Sequence, residues 1–270
     1  MKRHVCLLLL FFYPYICVPA VNNLRMADAR SIGMGGNEAI SSALFNPSLM
    51  ALYANNRICT NYFNRYGVKE LGTFNGSIYF PNRILSFGAG VSTFGYDAYR
   101  ESQLRLLLAK QLNGQWALGV GFQYVFLQTE LFEDKAGLLS TDVGLTFAPV
   151  DNCLIALLIM NMPSVQLGDE SIEIKDFETY LIQIGIRWEV INNVFIVCAI
   201  ENNDEQAVTG AVGMEYQPFT DFSIRTGIKG SPLLPSLGTG YCFSPFTVDV
   251  AIVYHPVLGV SSGIGLQFTF

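Results

Sequence analysis

The side chains that could do chemistry in this chain are guanidiniums, carboxylates and amides, with no nucleophile set beside a base. Alternate positions in several segments carry Gln103, Arg105, Gln123, Asp142, Gln183, Arg187, Glu215, Arg225, Lys229 and Asp249, all on the less bulky of two faces. Such a set can orient a ligand or line a polar pathway. It can equally pair within itself and fill a closed interior. Beyond residue 20 the one histidine is His255. No Ser–His–Asp or Cys–His constellation can therefore be assembled, no paired carboxylates stand at a readable spacing, and no enzymatic activity is expected. Cys59, Cys153, Cys198 and Cys242 show no CxxC spacing. They read as small apolar strand residues, so neither a metal nor another cofactor is expected.

The elements that must position these groups are strands. In Tyr180–Trp188 the even positions are large and apolar or aromatic, whereas the odd ones include Gln183, Gly185 and Arg187. Trp116–Phe126 repeats this, with Trp116, Leu118, Val120, Phe122, Tyr124 and Phe126 on one face. Alternation predicts about fourteen strands, near 57–66, 70–80, 83–94, 100–110, 115–128, 139–148, 152–161, 177–188, 193–201, 205–217, 220–229, 237–244, 246–254 and 261–270. Lengths near ten suit a tilted strand that crosses a bilayer. The segments 152–161 and 193–201 are apolar on both faces, which calls for an apolar inner partner. A hydrophobic ligand tunnel would supply one; so would packing against Ile32, Met34, Leu44 or Phe45.

Composition favours the same reading. The chain is 51% hydrophobic and 14% charged, yet its longest apolar run, Cys153–Met160, is far too short for a spanning helix. Apolar residues spread over alternate positions are what a lipid-facing barrel needs. A soluble sandwich would want bulk inside and charge outside, and here the small face is too poorly charged to serve as a soluble exterior. Lys2 and Arg3, the run Leu7–Phe12 and Val18-Pro19-Ala20 predict a cleaved secretory signal over 1–20. Without Lys2 and Arg3, 14 basic residues face 22 acidic ones. A chain this acidic, lacking a basic run, is no nucleic-acid binder.

Turn chemistry supplies a further regularity. Pro81-Asn82, Asn113-Gly114, Pro149–Asp151, Ile191–Asn193, Pro218–Thr220 and Ser244-Pro245 form tight turns after every second strand. Longer connections are expected at 129–138, 162–176, 230–236 and 255–260. Phe80, Trp116, Phe147, Trp188, Tyr216, Phe222, Phe243 and Phe246 gather beside the tight turns, and a second aromatic set lies nearer the opposite ends. Two girdles at two membrane interfaces have this form.

The last strand, Gly263–Phe270, places Phe268 and Phe270 on one face. An exported chain ending this way resembles a bacterial outer-membrane β-barrel, which implies lipid as its solvent and recognition of that strand by the barrel-assembly machinery. Residues 21–56 do not read as a strand. Within them Arg30, Gly33-Met34-Gly35-Gly36 and, ten residues on, Asn46-Pro47 resemble the N-terminal plug of two barrel groups: the FadL-like long-chain fatty-acid transporters and the PorV/PorQ-like barrels that accompany the type IX secretion system of Bacteroidetes. No strand precedes the glycine run and no GK[ST] follows it, so it is no phosphate loop. The resemblance implies an all-β, antiparallel up-and-down transmembrane barrel over 57–270, with a plug over 21–56. It implies either uptake or binding of a small hydrophobic compound, or an accessory role among the proteins of a secretion or surface-assembly machine. A departure from the pattern is Ile40-Ser41-Ser42-Ala43, where these groups often carry acidic residues.

Overall fold

The structure, a computed structural model, describes residues 23–25, 28–129, 132–168, 180–203, 208–230 and 232–270. The signal assigned to 1–20 lies outside them. Among the described residues fifteen strand segments follow one another: β1 (Arg57–Asn64), β2 (Gly72–Phe80), β3 (Ser86–Tyr96), β4 (Tyr99–Gln111), β5 (Trp116–Thr129), β6 (Phe132–Val150), β7 (Cys153–Met160), β8 (Ser164–Gly168), β9 (Leu181–Ile191), β10 (Val194–Asn203), β11 (Thr209–Phe219), β12 (Phe222–Lys229), β13 (Leu234–Phe243), β14 (Phe246–His255) and β15 (Gly259–Thr269). All pairings are antiparallel.

β7 and β8 are one stave, interrupted where Asn161 takes φ 60 and Pro163 offers no N–H to a ladder. Both halves pair with β6, β8 at Ala136–Ser140 and β7 at Val143–Val150. Met162 N–H donates to the Thr141 carbonyl (3.0 Å) and Thr141 N–H to the Pro163 carbonyl (3.1 Å), bridging the break. The result is a barrel of fourteen staves. β1 pairs with β15 from Arg57↔Thr269 to Asn64↔Ser262, and β5 pairs with β6, so the ring closes, with β8 paired to β6 alone among the described residues.

Parity divides the residues between two solvents. On β5, Leu118, Phe122 and Tyr124 are exposed, whereas Ala117, Gln123 and Val125 are buried. On β9, Ile184, Ile186 and Trp188 are exposed and Leu181 and Gln183 buried. Bulk outside and amides inside is the reverse of a soluble protein, and only hydrocarbon stabilises it. Leu106, 63% exposed near the middle of β4, tests this directly. Leu106→Arg should lower the stability of the vesicle-embedded barrel by about 2–4 kcal/mol in urea titrations, because a guanidinium at mid-bilayer loses its water. An unchanged unfolding midpoint would mean that this face is wet.

At the tight-turn end the rings form a chain: Phe243 to Phe246 (5.7 Å between centroids), Phe246 to Phe268 (5.1 Å) and Phe268 to Phe270 (5.5 Å), with Trp116 stacked on Phe147 at 4.2 Å elsewhere on the rim. The tight turns fall where the sequence places them. The opposite end differs from expectation. Residues 132–138, 164–168 and 234–236, expected in loops, belong to β6, β8 and β13, and β3 meets β4 across Asp97 and Ala98 alone. The reason is legible in β6: Glu133, Asp134 and Lys135 carry no apolar alternation. A strand that projects past the lipid has no hydrocarbon face to enforce one.

Candidate functional site

The barrel interior is occupied by residues 28–52 of the chain itself. Helix α1 (Ala29–Gly33) is capped by Asp28, whose carboxylate accepts from Ser31 N–H at 2.7 Å. Helix α2 (Glu38–Ser41) follows, then a 3₁₀ turn (Pro47–Leu52) capped by Asn46, which accepts from Ser48 N–H at 3.2 Å. Helices this short do not stand alone in water, so the wall must hold them in place.

The wall does so in three ways. First, Ala39, Leu44 and Phe45 pack on Leu158, Met160 and Leu181, and Met34 and Ile40 on Ala156 and Val197. The doubly apolar β7 and β10 thus find their inner partner in this segment. Second, wall glycines let its backbone approach. A Cβ on Gly213 or Gly227 would overlap the backbone of Met34 and Gly35, and one on Gly119 or Gly144 would overlap Asn46, Pro47 or Ser48. Gly35 itself has φ 84, open to glycine and strained for other residues.

Third, polar side chains tie it. Arg30 forks onto Glu215 (Nε 3.0 Å, Nη2 2.7 Å), and Glu215 also accepts from Arg225 Nε (2.5 Å), which reaches Asp249 through Nη1 (2.5 Å). Arg25 bridges Glu38 (3.1 Å) and Glu201 (2.8 Å), and Lys229 joins Glu201 (2.8 Å). Gln183 accepts from Ala39 N–H (2.7 Å) and donates to Glu38 (3.2 Å) and Glu201 (3.0 Å). Arg105 donates to the Leu44 carbonyl (2.9 Å) and to Gln103 (3.0 Å), faces Asp142 at 3.4 Å, and covers the Phe45 ring at 4.7 Å. Gln103 donates to Gln123 (2.8 Å), which donates to Ser140 (2.7 Å) and Asn161. The inward polar set is therefore mostly a paired network, and much of it serves the inner segment. Arg187 stands apart, its guanidinium 4.3 Å above the Phe195 ring.

Of the glycine run, Gly33 and Gly35 meet Ser236, whose hydroxyl accepts from Gly35 N–H (3.1 Å) and donates to the Gly33 carbonyl (3.2 Å). Gly36, at φ 77, turns the chain toward α2. Asn46, fully buried, donates to the Ala39 carbonyl at 2.6 Å, and Pro47 opens the 3₁₀ turn. Sequence pattern alone does not mark Arg25 or Glu38, which stand in a segment without a period. Glu201 is legible by parity, since it shares its inward face with Val197 and Ala199 on β10.

The segment lies between two cavities. Toward the open-loop end, one of about 320 Å³ is walled by Ile32, Phe63, Leu234 and Val253, with Arg25, Glu38 and Lys229 beside them. Toward the tight-turn end, one of about 270 Å³ is lined by Asp28, Arg30, Tyr53, Arg57, Arg187 and Asp249 among apolar neighbours. Burial pushes the Asp28 carboxyl up to about 6, with Asp249 adding to the rise, against the Ser31 N–H and Arg30, which favour the charged form.

A closed fourteen-stave barrel with an N-terminal segment folded inside it can be compared with known proteins. The structure of the toluene transporter TodX of P. putida superposes with a TM-score of 0.64 over 92% of this chain and 99% of that one, at 12% identity. The fold is FadL-like. A FadL homologue of Pseudomonas aeruginosa gives 0.58 over 90% of this chain and 97% of the other, at 12% identity. The outer-membrane protein Omp33 of Acinetobacter baumannii gives 0.50 over 80% and 98%, at 9%. No family profile and no curated protein sequence matches the chain. With its apolar exterior, this FadL-like chain is an outer-membrane β-barrel. The neighbours are named as transporters and outer-membrane proteins rather than enzymes, in line with the absence of a catalytic reading in the sequence.

Proposed function

We propose that the barrel takes up or binds small hydrophobic compounds, with residues 28–52 acting as a plug across its lumen. The observation that carries this reading is the pair of cavities on the two sides of the plug. The loop-end cavity presents Ile32, Phe63, Leu234 and Val253 to an incoming apolar molecule, and its volume of about 320 Å³ is at the lower end of small-ligand sites. TodX, similar in fold, is a toluene transporter, and a molecule of that class fits a cavity of this size. A PorV/PorQ-like accessory role in secretion gains no feature among the described residues.

Equilibrium dialysis of radiolabelled toluene against the full chain in detergent tests the proposal. Binding should be saturable, and Leu234→Glu should weaken it at least tenfold, because an apolar ligand cannot compensate a desolvated carboxylate. Absence of saturable binding, or equal binding by the variant, would remove the hydrophobic-compound reading.

A further inference from the structure

We propose that the tight-turn chamber is a second binding site, for a small organic monoanion: a carboxylate on an apolar body, held by Arg57 and Arg187. The site lies across the plug from the loop-end cavity and does not rest on the uptake reading.

Charge balance makes the case. Arg30, Arg225, Glu215 and Asp249 pair among themselves and sum to zero. Asp28 is engaged by its own helix. Among the described residues, the guanidiniums of Arg57 and Arg187 have neither a hydrogen bond nor a carboxylate within ion-pair distance. Each only covers a ring: Arg57 that of Tyr53 at 3.5 Å, Arg187 that of Phe195 at 4.3 Å. Arg57 Nε is moreover buried with no acceptor, a donor whose loss of water goes uncompensated. Glu189, the next inward carboxylate on β9, accepts from Asn193 N–H (3.2 Å) in the tight turn and lines a small neighbouring cavity, which Arg187 also borders, rather than the chamber itself. The lining of the chamber thus holds three guanidiniums against two carboxylates, one positive charge in excess.

The choice of ligand follows from the walls. Met34, Leu44, Tyr79 and Val197 also line the chamber, and its volume of about 270 Å³ accommodates one ring-sized acid. Asp28 and Asp249 at the same surface oppose a dianion. β1 and β9 lie on opposite sides of the fourteen-stave ring, so the two guanidiniums enter the chamber from facing walls, and Arg30 of the plug borders the same chamber. A planar carboxylate accepts from guanidiniums in two directions, which suits this arrangement.

The test is equilibrium dialysis of radiolabelled benzoate against the full chain in detergent at low salt, with benzamide, inorganic phosphate and toluene alongside. Benzoate should bind at least tenfold more tightly than benzamide. Arg187→Gln and Arg57→Gln should each weaken benzoate at least tenfold and leave toluene binding and the heat-dependent gel shift of the folded barrel unchanged. Benzoate and benzamide binding alike, or variants that bind benzoate as the parent does, would overturn the site. Phosphate binding more tightly than benzoate would overturn the organic-acid assignment.

Discussion

Replacement of Glu215 by leucine lowers barrel stability by about 3 kcal/mol or more, because removing one partner strands the charges it paired. Glu215 is the point at which plug and wall share charge: Arg30 reaches it from the plug and Arg225 from β12. Two facts hold the effect toward the lower end. The Arg30 side chain keeps 39% exposure to the chamber, and Arg225 retains Asp249. Glu215→Gln keeps an acceptor and should cost less. Urea unfolding from vesicles measures the loss. A cycle with Arg30→Gln isolates the coupling, since the second change should cost little once the carboxylate is gone. Independent, additive losses would mean that the pair seen at 2.7 Å contributes nothing to holding the plug.

Gly227→Val produces the second large effect, by geometry rather than charge. The added Cβ would overlap backbone atoms of Met34 and Gly35, and backbone cannot rotate out of the way as a side-chain tip can. Overpacking of this kind costs about 1–3 kcal/mol, and the least expensive relief is to lift the plug from β12. A shift of that size raises the displaced population about fivefold to 150-fold. Trypsin cleavage after Arg25 and Arg30 should accelerate correspondingly, while the barrel still runs folded on unboiled gels. Gly76→Ala is the control, its nearest neighbours being Phe74 and Val91 at 3.7 Å. Cleavage as slow as in the parent chain would show that the close approach does not hold the plug.

How much of this was legible in the sequence varies with the physics behind each feature. Lipid enforces an apolar outer face, so most staves that cross it are legible by alternation, from Trp116–Phe126 to Phe246–Tyr254, and β7 and β10 by their short apolar runs. Past the lipid that constraint ends, and the projecting part of β6 reads as a loop, whereas β8 keeps Val165 and Leu167 outward but is only five residues long and follows directly on Pro163. Parity found the inward polar residues, because a period of two fixes the face. It could not find their partners: Arg105 with Asp142, or Glu215 with Arg30, depends on ring closure and on where residues 28–52 thread. Arg25 and Glu38 stand in a segment without a period, and nothing local marks them as bridging to Glu201. The doubly apolar β7 and β10 left two explanations open, and packing against Met34, Ile40, Leu44 and Phe45 accounts for their inner faces.

The central claim is that a segment of the chain itself occludes the lumen and that its ties to the wall keep it there. Single-channel recording in planar bilayers tests this most directly. The unaltered protein should show little or no steady conductance, and Glu215→Leu should open discrete, long-lived steps as the plug loosens. Large steady conductance from the unaltered protein would contradict the account.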